Sequence, residues 1–244
     1  MRVNNVLKQI IKMKSNFIHV CFVIDASGSM TGSEKDVIGG FKSVIDEQKA
    51  NKEGTCSISY YKFDSDVKKM FIGKDINEVD YLTEKDYVPG GLTALFDGVG
   101  QAIDEIGKWL NNMPEDERPE KNLIVIMTDG GENNSKDYSG SKIKEMIKHQ
   151  EDKYNWTFVY MGSDLTNAND ANTIGVSTRL FNSKSNYSDN FNFINSVVSC
   201  YRCTDGDAQV KSLALEASAA KLCKETTEAY AKENGLVADD LLNG

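Results

Sequence analysis

Histidine is scarce in this chain, and cysteine follows no pattern. The two histidines are His19, inside an apolar run, and His149, inside a helical pattern. Neither stands where it could activate a serine, so serine-nucleophile catalysis finds no support. The five cysteines (Cys21, Cys56, Cys200, Cys203, Cys223) are an odd number without framework spacing, which fits a reducing compartment. Cys200-Tyr-Arg-Cys203 is a lone C-x-x-C. Zinc usually takes four nitrogen or sulfur ligands, and no second pair or neighbouring histidine completes a set. Two thiols on a helix is the simpler reading. No window supplies the roughly 18 consecutive apolar residues of a transmembrane helix. Basic residues are in deficit: 28 Lys and Arg against 37 Asp and Glu leave a net charge of −9. That balance argues against a broad electrostatic grip on nucleic acid or anionic lipid. Internal repeats and a phosphate-cradling G-x-x-x-x-G-K-[ST] loop are also missing.

What is present suits one large domain, or one domain with an extension. A chain of 244 residues, 40 % hydrophobic, buries roughly 70–75 % of its unfolded surface and needs no disulfides. The N-terminus superficially imitates an export signal, with Arg2, Lys8, Lys12 and Lys14 ahead of the apolar stretch Phe17 to Ile24. That stretch contains His19, ends at Asp25 and lacks a small-x-small cleavage pattern, so a cytoplasmic protein is expected. Val3, Val6, Leu7, Ile10 and Ile11 give residues 1–15 an amphipathic face. Packing against the domain or a neighbour is expected of it, rather than membrane attachment.

Residues 16–204 read as one alternating α/β domain. Phe17 to Ile24 is the near-continuous apolar run of a strand buried on both faces. Ser33 opens a helix that runs to about Lys49. Thr55 to Phe63 and Val67 to Ile72 form a hairpin around Asp64-Ser65-Asp66. Pro89-Gly90-Gly91 breaks the chain, and Thr93 starts a helix with Leu95, Val99, Ile103, Ile106 and Leu110 on its inner stripe. Pro114 and Pro119 bracket an acidic loop ahead of the buried strand Leu123 to Met127. A helix from Ser141, a strand at Trp156 to Met161, a short helix after Asp164, a strand near Arg179 to Phe181 and a helix from Ser188 to Arg202 complete the alternation. The pattern predicts a doubly wound, mainly parallel six-stranded sheet with one antiparallel edge strand and helices on both faces. Residues 205–244 change texture: Ala208 to Glu233 is Ala-rich and stops at Asn234-Gly235, a long helix expected to lie against the domain or to serve self-association.

Ligands of open α/β sheets collect at the carboxyl ends of the strands. The loop after the first strand, Asp25-Ala26-Ser27-Gly28-Ser29-Met30, offers a carboxylate and two hydroxyls at alternating positions. Thr128-Asp129-Gly130 puts a second carboxylate at the same end, and Thr93 adds a third hydroxyl at a helix start. Two carboxylates and three hydroxyls, with no His or Cys, suit Mg²⁺ or Mn²⁺ rather than zinc. Mg²⁺ wants six oxygens, so a position stays open for an outside ligand.

Asp25-x-Ser27-x-Ser29, Gly90-Gly91-x-Thr93-x-Leu95 and Thr128-Asp129-Gly130 resemble the three motifs of the metal-ion-dependent adhesion site of von Willebrand factor A domains. The resemblance spans about Asn16 to Arg202. Ile38-Gly39-Gly40-Phe41, Asp46-Glu47-Gln48, Thr83 to Tyr87 and Tyr160-Met161-Gly162 look like the stand-alone proteins of bacteria and bacteriophages. The resemblance implies a complete site: Ser27, Ser29 and Thr93 as hydroxyl ligands, Asp25 and Asp129 as carboxylates acting on the metal, often through water. It implies a non-enzymatic module whose metal accepts an Asp or Glu carboxylate from a protein partner. Rim candidates by topology are Met30, Thr31, the Asp64–Asp66 turn, Glu132, Asn133 and the Ser163-Asp164 loop. Two other classes compete: an assembly component, such as a phage virion or morphogenesis protein, acting through the C-terminal helix, and a metal-dependent phosphatase. The phosphatase reading would make Asp25 a nucleophile, but the general acid expected two residues on is Ser27.

Overall fold

Alternate side chains of the first apolar run enter two different cores. β1 (Lys14–Asp25) sends Ile18, Val20, Phe22 and Ile24 into one apolar cluster, and Cys21 and Val23 into the other. This period of two explains why the run is apolar almost without a break: both faces of the strand are covered. On one face α1 (Glu34–Ala50) packs through Val37, Phe41 and Val44, together with Phe191, Ile194 and Val198 of α5 (Tyr187–Cys203). On the other face α2 (Leu95–Asn111) and α3 (Gly140–Tyr154) bring Val99, Ile103, Ile106, Ile143 and Ile147. The structure is a computed structural model that describes residues 14–162, 168–176, 178–181 and 187–203, with residues 228 and 232 in addition.

β1 is flanked in parallel by β2 (Thr55–Phe63) and β4 (Pro119–Thr128). β3 (Val67–Asp75) pairs antiparallel with β2, and β5 (Thr157–Gly162) extends the sheet beyond β4. A four-residue strand, β6 (Thr178–Phe181), lies parallel to β5 after α4 (Ala168–Ile174), so the order is β3-β2-β1-β4-β5-β6. The sheet is mixed, with β3 its one antiparallel member among the described residues and helices covering both faces.

Several boundaries differ from the sequence reading: β1 opens at Lys14, and β3 runs on to Asp75. Pro119 does not end the acidic loop but opens β4, a place where a missing N–H costs the ladder little. Thr93 does not begin α2, which starts at Leu95 with Ala94 at the cap. The backbone of Thr93 is otherwise engaged: its N–H donates to Asn133 Oδ1, and its carbonyl accepts from the N–H groups of Asn133 and Asn134. Cys200 and Cys203 both fall within α5, and His149 within α3. The amphipathic segment 1–13, the Ser163-Asp164 loop, Cys223 and the Ala-rich stretch 208–233 lie outside the described residues, 228 and 232 excepted. Among the described residues no helix is long and apolar enough to cross a membrane.

Candidate metal centre

The register of β1 on β4 sets Ile24 opposite Met127, so the two strands end together. Asp25 and Thr128 therefore meet: the Thr128 hydroxyl donates to Asp25 Oδ2 at 2.6 Å and accepts from the N–H of Gly130 at 3.1 Å. The other oxygen, Asp25 Oδ1, accepts from the N–H of Ser27 at 2.6 Å. This Asx-type contact folds the chain back at once. A short 3-10 turn at Gly28–Met30 follows and leaves Ser27 Oγ and Ser29 Oγ 2.9 Å apart.

Gly130 marks where the oxygens converge. A Cβ placed there would lie 2.7 Å from Ser29 Oγ, 3.0 Å from Thr93 Oγ1 and 3.4 Å from Asp25 Oδ2. Three groups from two separate segments thus face one small volume beside a third, and glycine is what leaves that volume open. Asp129, the residue between Thr128 and Gly130, is buried, as are Asp25, Ser27 and Thr93. The structure brings Asp25, Ser27, Ser29 and Thr93 together at the carboxyl end of the sheet, with Asp129 on the adjoining loop.

Burial pushes the Asp25 carboxyl up to about 6, against the pull of the hydrogen bonds from Thr128 and Ser27. The Asp129 carboxylate adds a smaller upward push, so it is close enough for its charge to be felt. Desolvation makes the Asp25 anion costly, and a bound dication would reverse that balance. The donor set is all hard oxygen, the kind that binds Mg²⁺ or Mn²⁺. Among the described residues no group of three or more His, Cys, Asp or Glu is placed to hold a metal ion.

The loops carrying these groups are stapled to one another. Gly28 N–H donates to the carbonyl of Gly91, Gly90 N–H to that of Ala26, and Ala94 N–H to that of Asp64. Gly91 has φ +78°, which suits glycine, and a Cβ there would press within 2.7 Å of Ser65 Oγ. Ser65 Oγ also accepts from Leu92 N–H. Behind Thr93, Glu132 accepts from the N–H groups of Phe96, Asn134 and Ser135, and from the Ser135 hydroxyl. Asp97 accepts from three successive N–H groups, Lys136 to Tyr138. Such carboxylates at the first turn of α2 satisfy both the helix N-terminus and the facing loop.

The rim expected from topology changes accordingly. Met30 is fully buried, because the 3-10 turn swings it into the α1 core. The side chains of Glu132 and Asn133 hold α2 and Thr93 in place through hydrogen bonds. Thr31, Asp66 and Asn133 are exposed. Two residues given no role by the sequence reading are Tyr87, quoted only within the Thr83–Tyr87 segment, whose hydroxyl reaches the Asp25 carbonyl, and Asp97. An acid one turn after Thr93, inside a helix's first turn, is a signal for Asp97. No local pattern points to Tyr87.

The von Willebrand factor type A domain matches this chain over residues 19–199. No curated protein matches it. Several solved structures share the fold at low identity. Proximal thread matrix protein 1 from the mussel byssus superposes with TM-score 0.54 at 18 % identity, covering 77 % of this chain and 48 % of its own. The PilB minor pilin of Streptococcus sanguinis gives 0.53 at 15 %, covering 80 % of this chain and 64 % of its own. The vWF domain of the type V pili tip protein Mfa5 from Porphyromonas gingivalis gives 0.53 at 11 %, covering 81 % of this chain and all of its own. The chain thus spans about half the length of the mussel protein and under two thirds of the pilin. With a family match that takes in most of its length, the chain belongs to the von Willebrand factor type A domain family.

Proposed function

We propose that this chain is a divalent-metal-dependent protein-binding module that captures an acidic side chain of a partner. Residues 16–204 form the metal-site domain, and residues 1–15 and 205–244 are additions to it. Asp25, Ser27, Ser29, Thr93 and Asp129 hold Mg²⁺ or Mn²⁺, with the carboxylates acting directly or through water. Such an ion would supply a Lewis-acidic open position for an Asp or Glu carboxylate. The observation that carries the reading is the convergence of Ser29, Thr93 and Asp25 on the space above Gly130.

The chain's own residues favour binding over catalysis. Asp25 has each carboxylate oxygen held by a donor, Ser27 N–H on one and the Thr128 hydroxyl on the other. That arrangement fixes a ligand and does not present a nucleophile. His19 is buried in β1 between Ser57 and Ser59, and His149 sits on α3, so neither reaches the hydroxyls of the site. The solved structures named above are a byssal matrix protein, a minor pilin and a pili tip protein, which agrees with a role in association.

Calorimetric titration of chelator-treated protein with Mg²⁺ and Mn²⁺ tests the metal site. One ion per chain is expected, and Asp25→Ala should abolish it while leaving the circular dichroism spectrum unchanged. Metal at a hundredfold excess over its Kd should stabilise the fold by about 2.7 kcal/mol. No binding, or equal binding by Asp25→Ala, would remove the basis of the proposal.

A further inference from the structure

The end of the sheet remote from the metal centre holds a cavity of about 640 Å³, a size that admits several side chains. It opens between the last turns of α2 and α3 and the first residues of β4. Its buried lining residues are Leu110, Pro119, Asn122 and Trp156, three of them apolar. Its exposed lining includes Glu115 and Tyr154, the latter 57 % exposed. The walls are fixed. Arg118 donates to the carbonyls of Met113 and Asn111, which holds the 3-10 turn Glu115–Glu117 against the end of α2. At the end of α3, Lys121 donates to the Asn155 carbonyl, and Trp156 N–H donates to that of Gln150. Filling a cavity with such walls costs little further ordering.

The chain's own start lies at the lip of this cavity. Lys14, the first residue of β1, is the ladder partner of Pro119, which lines it. The residues before Lys14 carry Val3, Val6, Leu7, Ile10 and Ile11, the spacing of one helix face. They also carry Arg2, Lys8 and Lys12, with no acid. The lip offers the complementary charge, since Glu115, Asp116 and Glu117 are all exposed. Of the cations in the lining, Arg118 is turned to backbone carbonyls, and Lys153 stands on the α3 side. The other end of the chain leaves from a different face of the sheet. α5 ends at Cys203, with Arg202 bound to carbonyls at and beyond the end of α1.

We infer that residues 1–13 fold back over this cavity as an intramolecular clamp. Val6, Leu7 and Ile10 enter it above Leu110, Pro119 and Trp156, and Lys8 and Lys12 lie beside Glu115–Glu117. As a helix, residues 3–13 span about 16 Å, and the segment starts one ladder spacing from the cavity wall, so the reach is short. Covering the floor removes apolar surface from water on both sides of the contact. The clamped segment has no apolar face left for a membrane, and the metal centre at the opposite end of the sheet takes no part.

Trypsin cuts after Lys8 and Lys12 only while the segment is lifted off, so the cutting rate reads the docked fraction. In the full chain, Val6→Ser/Ile10→Ser on the segment and Tyr154→Ser on the lip should each speed those cuts by about tenfold. Thermal melts confirm that Tyr154→Ser keeps its core. A photoreactive benzoylphenylalanine in place of Leu7 should cross-link, within the same chain, to residues 107–122 or 149–156. Equal cutting rates in the three proteins, or cross-links to α1 or α5, would overturn the inference. Cross-links between isotopically distinct copies would overturn it in favour of self-association. Cross-links that form only to phosphatidylglycerol vesicles would overturn it in favour of a membrane-facing segment.

Discussion

The Tyr87 hydroxyl donates a 2.5 Å hydrogen bond to the carbonyl oxygen of Asp25, the residue that opens the metal loop. Tyr87 is itself almost fully buried, and the two residues are 62 positions apart in the chain. The contact ties the loop before Thr93 to the end of β1, so two of the three segments of the centre are set by one phenol.

Tyr87→Phe keeps the ring and removes that donor. It should lower stability by about 1–3 kcal/mol, the cost of leaving a buried carbonyl without this partner. The Mg²⁺ dissociation constant should rise as well, since the Thr93 loop loses an anchor. Urea unfolding in chelator, paired with metal titration, separates the two effects. A variant as stable as the wild type would show that the Asp25 carbonyl is satisfied without Tyr87.

Gly130→Ala puts a methyl group where Ser29 Oγ, Thr93 Oγ1 and Asp25 Oδ2 converge. The hydroxyls would have to turn away, and the space for the ion would be filled. Metal affinity should fall by about 10–100-fold, the usual effect of displacing supporting groups around a metal. Stability without metal should change far less, because hydroxyl rotors move cheaply. Calorimetry with Mn²⁺, alongside unfolding in chelator, gives both numbers. Unaltered metal affinity would place the ion elsewhere.

The strand-end motifs were legible because local rules govern them. Alternation at Asp25, Ser27 and Ser29, and glycines at 90, 91 and 130, are readable without any tertiary contact. The helix stripes and the Thr55–Phe63 strand followed from periodicity in the same way. The rim was not legible, since it depends on contacts spanning long stretches of chain. Asn133 is consumed by Thr93 across 40 residues, and Glu132 by Phe96 across 36. Met30 follows the exposed Ser29, yet a single 3-10 turn carries it into the core. Nothing in the run Ser27-Gly28-Ser29-Met30 announces that turn over an extended loop.

Arg202, near the end of α5, closes the C-terminus of α1. Its guanidinium donates to the carbonyls of Gln48 at 2.5 Å, Asn51 at 2.7 Å and Glu53 at 2.8 Å. It is almost completely buried. Helix C-termini leave carbonyls unsatisfied and favour a cation, and this fork answers both needs. Arg202→Met should cost about 2–4 kcal/mol, and Arg202→Lys should recover little, because one ammonium cannot span three carbonyls. Urea midpoints at constant slope provide the comparison. Full rescue by lysine would mean that charge alone is required.

His19 sets part of the acid sensitivity of the fold. Its ring lies wholly buried in β1, with Nδ1 2.9 Å from Ser57 Oγ and Nε2 3.2 Å from Ser59 Oγ. Burial holds its pKa down at about 3, well under the ordinary value of 6.5. Below pH 6.5 the unfolded chain takes up a proton here that the folded chain refuses until about pH 3. Stability is therefore unaffected by this group above pH 6.5 and is lost as pH falls through the window beneath it. The slope from one such group approaches about 1.4 kcal/mol per pH unit. His19→Gln keeps a polar side chain between the two serines but cannot titrate. It should be less stable than the wild type at pH 7, yet lose stability more slowly between pH 6 and pH 4.5. The carboxylates contribute to both proteins, so the difference in slope isolates His19. Equal slopes would show that the ring is charged in the folded protein, with Ser57 and Ser59 both accepting from it.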